Sequence, residues 1–321
     1  MKKKIIILSS DPNSINSEII FKTWKNINKS LRKRIYLISN YSLMISQLKR
    51  IKYKIKITKV RDINEQTKGN SIKLIDVKLN YKNPFNVSKN EASKFVKKSL
   101  ILGHKICLDT KNVSGMINCP LDKTLLRKKF YGVTEFLASV CKVKNNSEVM
   151  MLRNKNLAIC PITTHTDISK VSNQIKKNKI ISKIKVINLW FKKTFKRYPK
   201  IAILGLNPHN AEFRKNSKEI KEIIPAIKDL KKLGIRLRGP LVADTIFINE
   251  YKNFDVVVGM YHDQVLAPFK ALFKFDAINI TLGLKYNRTS PDHGVAKEII
   301  GKNKANHESL LNCINFLAKL Q

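Results

Sequence analysis

Acidic residues are scarce in this chain. Only 23 Asp and Glu stand against 63 Lys and Arg, for a formal net charge of +40. Such an excess would suit a nucleic-acid partner. However, lysine is spread along the whole length beside abundant Asn and Ile, residue types that share A/T-rich codons. No RNA-binding aromatic motif, zinc finger or basic heptad region accompanies it. The charge therefore reads as a bias of composition, and no nucleic-acid partner is expected. Cysteine is also sparse. The five residues, Cys107, Cys119, Cys141, Cys160 and Cys313, are odd in number and form no CxxC pair. Free thiols in a reducing cytoplasm are the simplest reading. Long apolar runs are missing too, and none approaches the length of a membrane span. The lysines and Ile5–Leu8 at the start resemble a signal segment, but Ser9-Ser10-Asp11-Pro12 cuts the apolar stretch far too short. A soluble cytoplasmic protein that spans no membrane is expected. Repeats and low-complexity linkers are absent from the first third as well.

What is present is a chain of 321 residues, 43% of them apolar, enough for a large core in one or two domains. Strand-like and helix-like stretches alternate, which predicts the α/β class. Strands are expected at Ile5–Leu8, Arg34–Ile38, Glu148–Leu152, Leu157–Pro161, Lys200–Leu206, Val256–Val258 and Ala277–Leu282. Helices are expected at Ile15–Ile27, Tyr41–Ile51, Glu91–Leu102, Gly132–Val140, Ile168–Phe195, Lys218–Leu233 and Ser309–Leu320. Turns are expected at Lys68-Gly69-Asn70, Asn83-Pro84 and Gly239-Pro240.

The stretch from Asp255 to Ala305 organises the rest. The run Val256-Val257-Val258 reads as a buried strand of a parallel sheet. It empties into Tyr261-His262-Asp263-Gln264. A second strand candidate leads into Arg288-Thr289-Ser290-Pro291-Asp292-His293-Gly294. Active sites of open α/β sheets lie just past the carboxyl ends of strands. Singly, Asp292 reads as a helix cap and Arg288 as a surface cation. Together with His262, Asp263, Lys270 and His293 they read as loop-borne groups of a functional site. Three of the six histidines, His165, His209 and His262, each follow an apolar strand. Three neutral imidazoles can hold a divalent ion and leave positions open for substrate.

The segments GLNPH (205–209), GPLVADT (239–245), YHDQVLAPFK (261–270), NITLGL (279–284) and RTSPDHG (288–294) resemble the 4-hydroxythreonine-4-phosphate dehydrogenase family. PLDK (120–123), GVTEF (132–136) and TTH (163–165) follow in the same order. The resemblance is dense from Asn118 to Ala305 and weaker but collinear before it. It implies two α/β/α domains flanking an active-site cleft, in the manner of isopropylmalate dehydrogenase. One domain would comprise residues 1–127 with 271–321, on the cofactor side, and the other residues 128–270. It implies a homodimer with the active site at the interface, where one subunit supplies a histidine to the other's metal. His165, His209 and His262 would bind one divalent ion (Zn, Mg, Mn or Co). Thr134, Lys270, Asn279 and Arg288 would contact a phosphorylated substrate. Asp244 and Asp263 would lie close to the metal and the reacting hydroxyl, with Asp244, Asp263 and Lys270 as candidates for the general base. Asp292, His293, Gly294 and Ala296 resemble the adenine-side NAD loop of related dehydrogenases, a superfamily without the GxGxxG fingerprint.

The implied reaction is NAD-dependent oxidation of the C3 hydroxyl of 4-phosphooxy-L-threonine. Loss of CO₂ would then give 3-amino-2-oxopropyl phosphate on the way to pyridoxal 5'-phosphate. Three features depart from the family pattern. Val133 stands where the family has a histidine before the threonine. Ser10–Glu18 lacks every glycine of the family's GDPAGIGPE, so any turn needing positive φ must form without one. The loop between Lys123 and Phe130 is short. Alternatives are a dehydrogenase for 4-phosphothreonate or 4-phosphoerythronate, for which Val133 speaks, and a catalytically decayed homologue kept as a binding module, for which the lost glycines speak.

Overall fold

A computed structural model describes residues 2–65, 67, 70–126, 132–141, 148–274 and 276–320. The turn expected at Lys68-Gly69-Asn70 and the loop to Phe130 fall partly outside those residues. The strands are β1 (Lys4–Leu8), β2 (Ile35–Ser39), β3 (Ile57–Val60), β4 (Ile72–Asp76), β5 (Val113–Asn118), β6 (Val149–Arg153), β7 (Ala158–Thr163), β8 (Ile201–Leu204), β9 (Leu237–Leu241), β10 (Val256–Tyr261), β11 (Ile278–Leu282) and β12 (Arg288–Pro291). With helices between them, the chain is α/β. It divides into two compact units, Met1–Leu137 with Lys285–Gln321, and Ala138–Leu284.

In the first unit the strand order is β3-β4-β2-β1-β5-β12, all parallel. Ile5, Ile6, Leu8, Leu37 and Ile38 are fully or almost fully buried, as a strand covered on both faces requires. The helix foreseen at Glu91–Leu102 runs from Lys89 to Asp109 and is capped by Ser88, whose hydroxyl accepts from Glu91 N. Ala92, Phe95, Val96 and Leu100 face inward, whereas Ile101 is exposed because it lies about 100° round from Leu100. Strand β5 carries no clear sequence signal: VSGMIN mixes Ser, Gly and Asn with three apolar residues. It exists because both its neighbours, β1 and β12, pair with it. In the glycine-free Ser10–Glu18 stretch the positive φ falls on Ser10 (55°). Asn13 instead bridges to Val87, donating to its carbonyl and accepting from its N–H.

In the second unit the order is β11-β6-β7-β10-β8-β9. Strands β7, β10, β8 and β9 run parallel, while β6 is antiparallel to both its neighbours. The long helix foreseen at Ile168–Phe195 is two helices, Ile168–Gln174 and Lys177–Phe195, because Lys176 is extended between them. The helix foreseen at Lys218–Leu233 begins with a π-helical turn, Glu219–Ile223, before Ile224–Lys232. Gly239-Pro240, expected as a turn, lies within β9. The groups after Val258 were expected on loops. Instead β10 passes directly into the helix His262–Phe273, whose first two residues are His262 and Asp263 and whose third turn carries Lys270. Val265, Leu266 and Phe269 bury one face of it against Ile159, Ala202 and Val257. Each such side chain contributes roughly 1.5–3 kcal/mol. Gly259 permits the reversal, since a Cβ there would lie 2.6 Å from Val265 Cγ1. Among the described residues, no helix is long and apolar enough to cross a membrane.

Candidate active site

The carboxyl ends of four adjacent parallel strands in the second unit carry the expected groups. His165 follows β7, His262 and Asp263 follow β10, His209 follows β8 and Asp244 follows β9. His165, His209, Asp244 and Asp263 are exposed, and His262 is half-buried. The rings of His165 and His262 approach to 5.9 Å between centroids, tilted by 38°. His262 Nδ1 donates to Asp263 Oδ1 at 2.7 Å, which turns Nε2 into the available donor for a cation. Two imidazoles brought together in this way fit a divalent ion with nitrogen ligands. His209 does not complete a triad with them within one chain: among the described residues, no group of three His, Cys, Asp or Glu side chains could hold a metal ion. Asn279, on β11, keeps a buried Oδ1 without a hydrogen-bond partner among the described residues.

The loop carrying His209 is unusual. His209, Asn210, Ala211, Glu212 and Phe213 all have positive φ, between 44° and 56°, forming a left-handed turn without glycine. Several contacts hold it. Glu219 is fully buried and accepts from Leu206 N, Asn207 N and Asn207 Nδ2. Burial alone would raise its pKa, yet the hydrogen bonds from Asn207 and Leu206 leave it below the ordinary glutamate value. Asn210 Nδ2 donates to Pro240 O at 3.3 Å. Gly205 has no room for a side chain, because a Cβ would lie 2.1 Å from Asn210 Oδ1.

Thr134, Arg288 and the Asp292–Ala296 stretch belong to the first unit. Thr134 is half-buried near the start of the helix Val133–Val140. Arg288 is not a surface cation: it is 3% exposed on β12, and its Nε donates to Asn118 Oδ1 at 2.6 Å. Burial brings its pKa down to about 10. Asp292 N donates to Ser309 Oγ, and His293 Nδ1 contacts Gly294 O at 3.0 Å. His293 Nε2 is buried with no partner among the described residues, a polar atom for a ligand to satisfy. Ala296 is left-handed, at φ 48°. Gly294 has open space around it.

This stretch is anchored by residues that the sequence did not single out. Lys297 Nζ donates to Asp122 Oδ2 at 2.9 Å, and Asp122 N donates to Asp11 Oδ2 at 2.9 Å. Asp11 is buried, and burial raises its pKa. Burial acts the same way on Asp122, but hydrogen bonds from Lys297 and Thr124 outweigh it and bring that carboxyl to about 2. Asp122 lies in the quoted PLDK segment, so only its role was hidden. Glu219 and Lys297 sit in lysine-rich runs with no distinguishing pattern.

Known proteins resemble this chain over nearly its whole length. The family profile described as "Pyridoxal phosphate biosynthetic protein PdxA" matches residues 11–317. The 4-hydroxythreonine-4-phosphate dehydrogenase of Aquifex aeolicus (strain VF5) is 38% identical over 329 residues, covering 100% of this chain and 99% of the relative. That of Sulfurihydrogenibium sp. (strain YO3AOP1) is 38% identical over 327 residues, covering 99% and 98%. A crystal structure of 4-hydroxythreonine-4-phosphate dehydrogenase from Klebsiella pneumoniae superposes with a TM-score of 0.85 at 26% identity, covering 99% of this chain and 100% of that one. With its strand-end histidines in place and a match running almost from end to end, the chain belongs to the pyridoxal phosphate biosynthetic protein PdxA family.

Proposed function

We propose that this protein is an oxidoreductase that oxidises 4-phosphooxy-L-threonine with NAD, the product losing CO₂ to give 3-amino-2-oxopropyl phosphate for pyridoxal 5'-phosphate synthesis. The observation that carries the reading is the row of His165, His262 and His209 at the ends of three adjacent parallel strands, in a chain matched over its length by 4-hydroxythreonine-4-phosphate dehydrogenases. His165, His209 and His262 would hold one divalent cation. Asp263 keeps the His262 ring oriented through Nδ1. When bound, the cation supplies Lewis-acid polarisation of the hydroxyl, and NAD supplies the hydride acceptor.

The chain's own residues do the rest. Asp244, at the end of β9, and Lys270, half-buried on the helix His262–Phe273, are the groups to accept the hydroxyl proton. Asp263, tied to His262, serves orientation first. Arg288, together with Lys270 when Asp244 takes the proton, supplies positive charge for the phosphate and carboxylate of the substrate. Thr134 and Asn279 add neutral hydrogen bonds. Asp292, His293, Gly294 and Ala296 form the NAD adenine side, with buried His293 Nε2 awaiting a partner. A homodimer fits the observation that one chain brings two of the three imidazoles together. Five free cysteines, four of them buried, suit the cytoplasm.

The test is turnover with NAD and added Zn, Mg, Mn or Co, on 4-phosphooxy-L-threonine beside 4-phosphothreonate and 4-phosphoerythronate. Preference for the first supports the proposal. Preference for either acid assigns the sister reaction, and no turnover on any of them sinks both.

A further inference from the structure

The strand ends that carry the three histidines are joined by a crossbar of hydrogen bonds. Strands β10 and β8 pair in the register Val256 to Ile201, Val257 to Ala202 and Val258 to Ile203. Continued two residues further, that register sets Met260 beside Gly205. Beyond the last paired residues, the side-chain amide of Gln264 links the two strand ends. Met260 N donates to Gln264 Oε1 at 2.7 Å, and Gln264 Nε2 donates to Gly205 O at 2.8 Å. The two strand ends are thus joined through an amide by two hydrogen bonds of ordinary length.

The bar extends both ways. Thr163 Oγ1, at the end of β7, donates to Met260 O at 2.8 Å, and Gly205 N donates to Leu241 O at the end of β9 at 3.0 Å. It therefore crosses β7, β10, β8 and β9 beneath His165, His262, His209 and Asp244. Glycines make room for it: a Cβ on Gly259 would lie 2.9 Å from Gln264 Oε1.

We infer that Gln264 is a positioning residue that ties the helix start at His262 to the end of β8, and through the placement of His262 sets the affinity for the divalent cation. The inference rests on the metal reading above. Its test uses metal-free full-length protein and Zn²⁺ titrated in competition with a chromophoric chelator, with melting of the metal-free protein recorded in parallel. Gln264→Met keeps the length and loses the amide. Gln264→Glu keeps the acceptor for Met260 N and sets a carboxylate oxygen against Gly205 O. Both should weaken Zn²⁺ binding about 10- to 100-fold, the range found when groups behind metal ligands are altered, while the apparent KM for NAD stays at the wild-type value. A merely structural role would lower the melting temperature and leave Zn²⁺ affinity alone, which would overturn the inference. His262→Ala is run beside them. If it weakens binding and the Gln264 variants do not, positioning by Gln264 is wrong and the metal reading stands. If His262→Ala binds like wild type, the metal reading falls and this inference with it. Should Gln264→Met fail to fold, Gln264→Glu decides alone.

Discussion

The left-handed turn at His209–Phe213 can be tested at Glu212. Its φ is 44° and its side chain is 65% exposed, 3.8 Å from a still more exposed Arg214, so little packing or charge energy is at stake. A non-glycine residue in this region costs roughly 1–2 kcal/mol. Replacing it by glycine removes that strain but adds unfolded-chain freedom worth roughly 0.5–1 kcal/mol. Glu212→Gly should therefore stabilise the protein by roughly 0.5–1 kcal/mol. For a domain of 150–250 residues that corresponds to a rise in Tm of about 1–4 °C. Glu212→Val should go the other way by at least about 1 kcal/mol, because a β-branched side chain is poorly tolerated at positive φ. Lys228→Gly, exposed within the helix Ile224–Lys232, is the control and should cost about 1 kcal/mol. Thermal melting of the three variants separates the cases. If Glu212→Gly loses stability as Lys228→Gly does, the turn is not left-handed and the account of how His209 is presented fails.

Five other outcomes are expected. His165→Ala, His209→Ala and His262→Ala should each lose bound metal by elemental analysis, whereas His104→Ala and His307→Ala should keep it. In the wild type, metal affinity should fall as pH drops, because imidazole ligands must be neutral to bind. His293→Ala should raise the apparent KM for NAD with metal content unchanged, measured by steady-state kinetics. Gly205→Ala should destabilise by about 1–3 kcal/mol in urea unfolding, since its methyl would meet Asn210 Oδ1. The carboxyl of Asp122, held at about 2 in the fold, stabilises above its unfolded value near about 4 and loses that contribution as pH falls toward about 2. Asp122→Asn should flatten the fall of stability over that window, followed by denaturant unfolding at each pH.

Much of this was written in the sequence. Apolar runs such as Ile5–Leu8 and Val256–Val258 read as buried strands, because they are short, rich in β-branched residues and end in polar segments. The α/β class, the strand behind each of His165, His209 and His262, and the amphipathic helices followed from periodicity alone. Family motifs supplied the candidate residues of the site. Other features depended on contacts between distant residues, which local pattern does not encode. Strand β5 is a strand because β1 and β12 lie on either side of it. Arg288 is buried because Asn118, 170 residues away, accepts its Nε–H. Ser10, not Asn13, takes the positive φ, since Asn13 is committed to Val87. Gln264 was in plain view within YHDQ, but its role exists only where β8 and β10 end side by side. A sequence specifies which residues prefer to be buried or helical; which donor meets which acceptor is decided when the strands align, because a hydrogen bond needs its partner within about 3 Å.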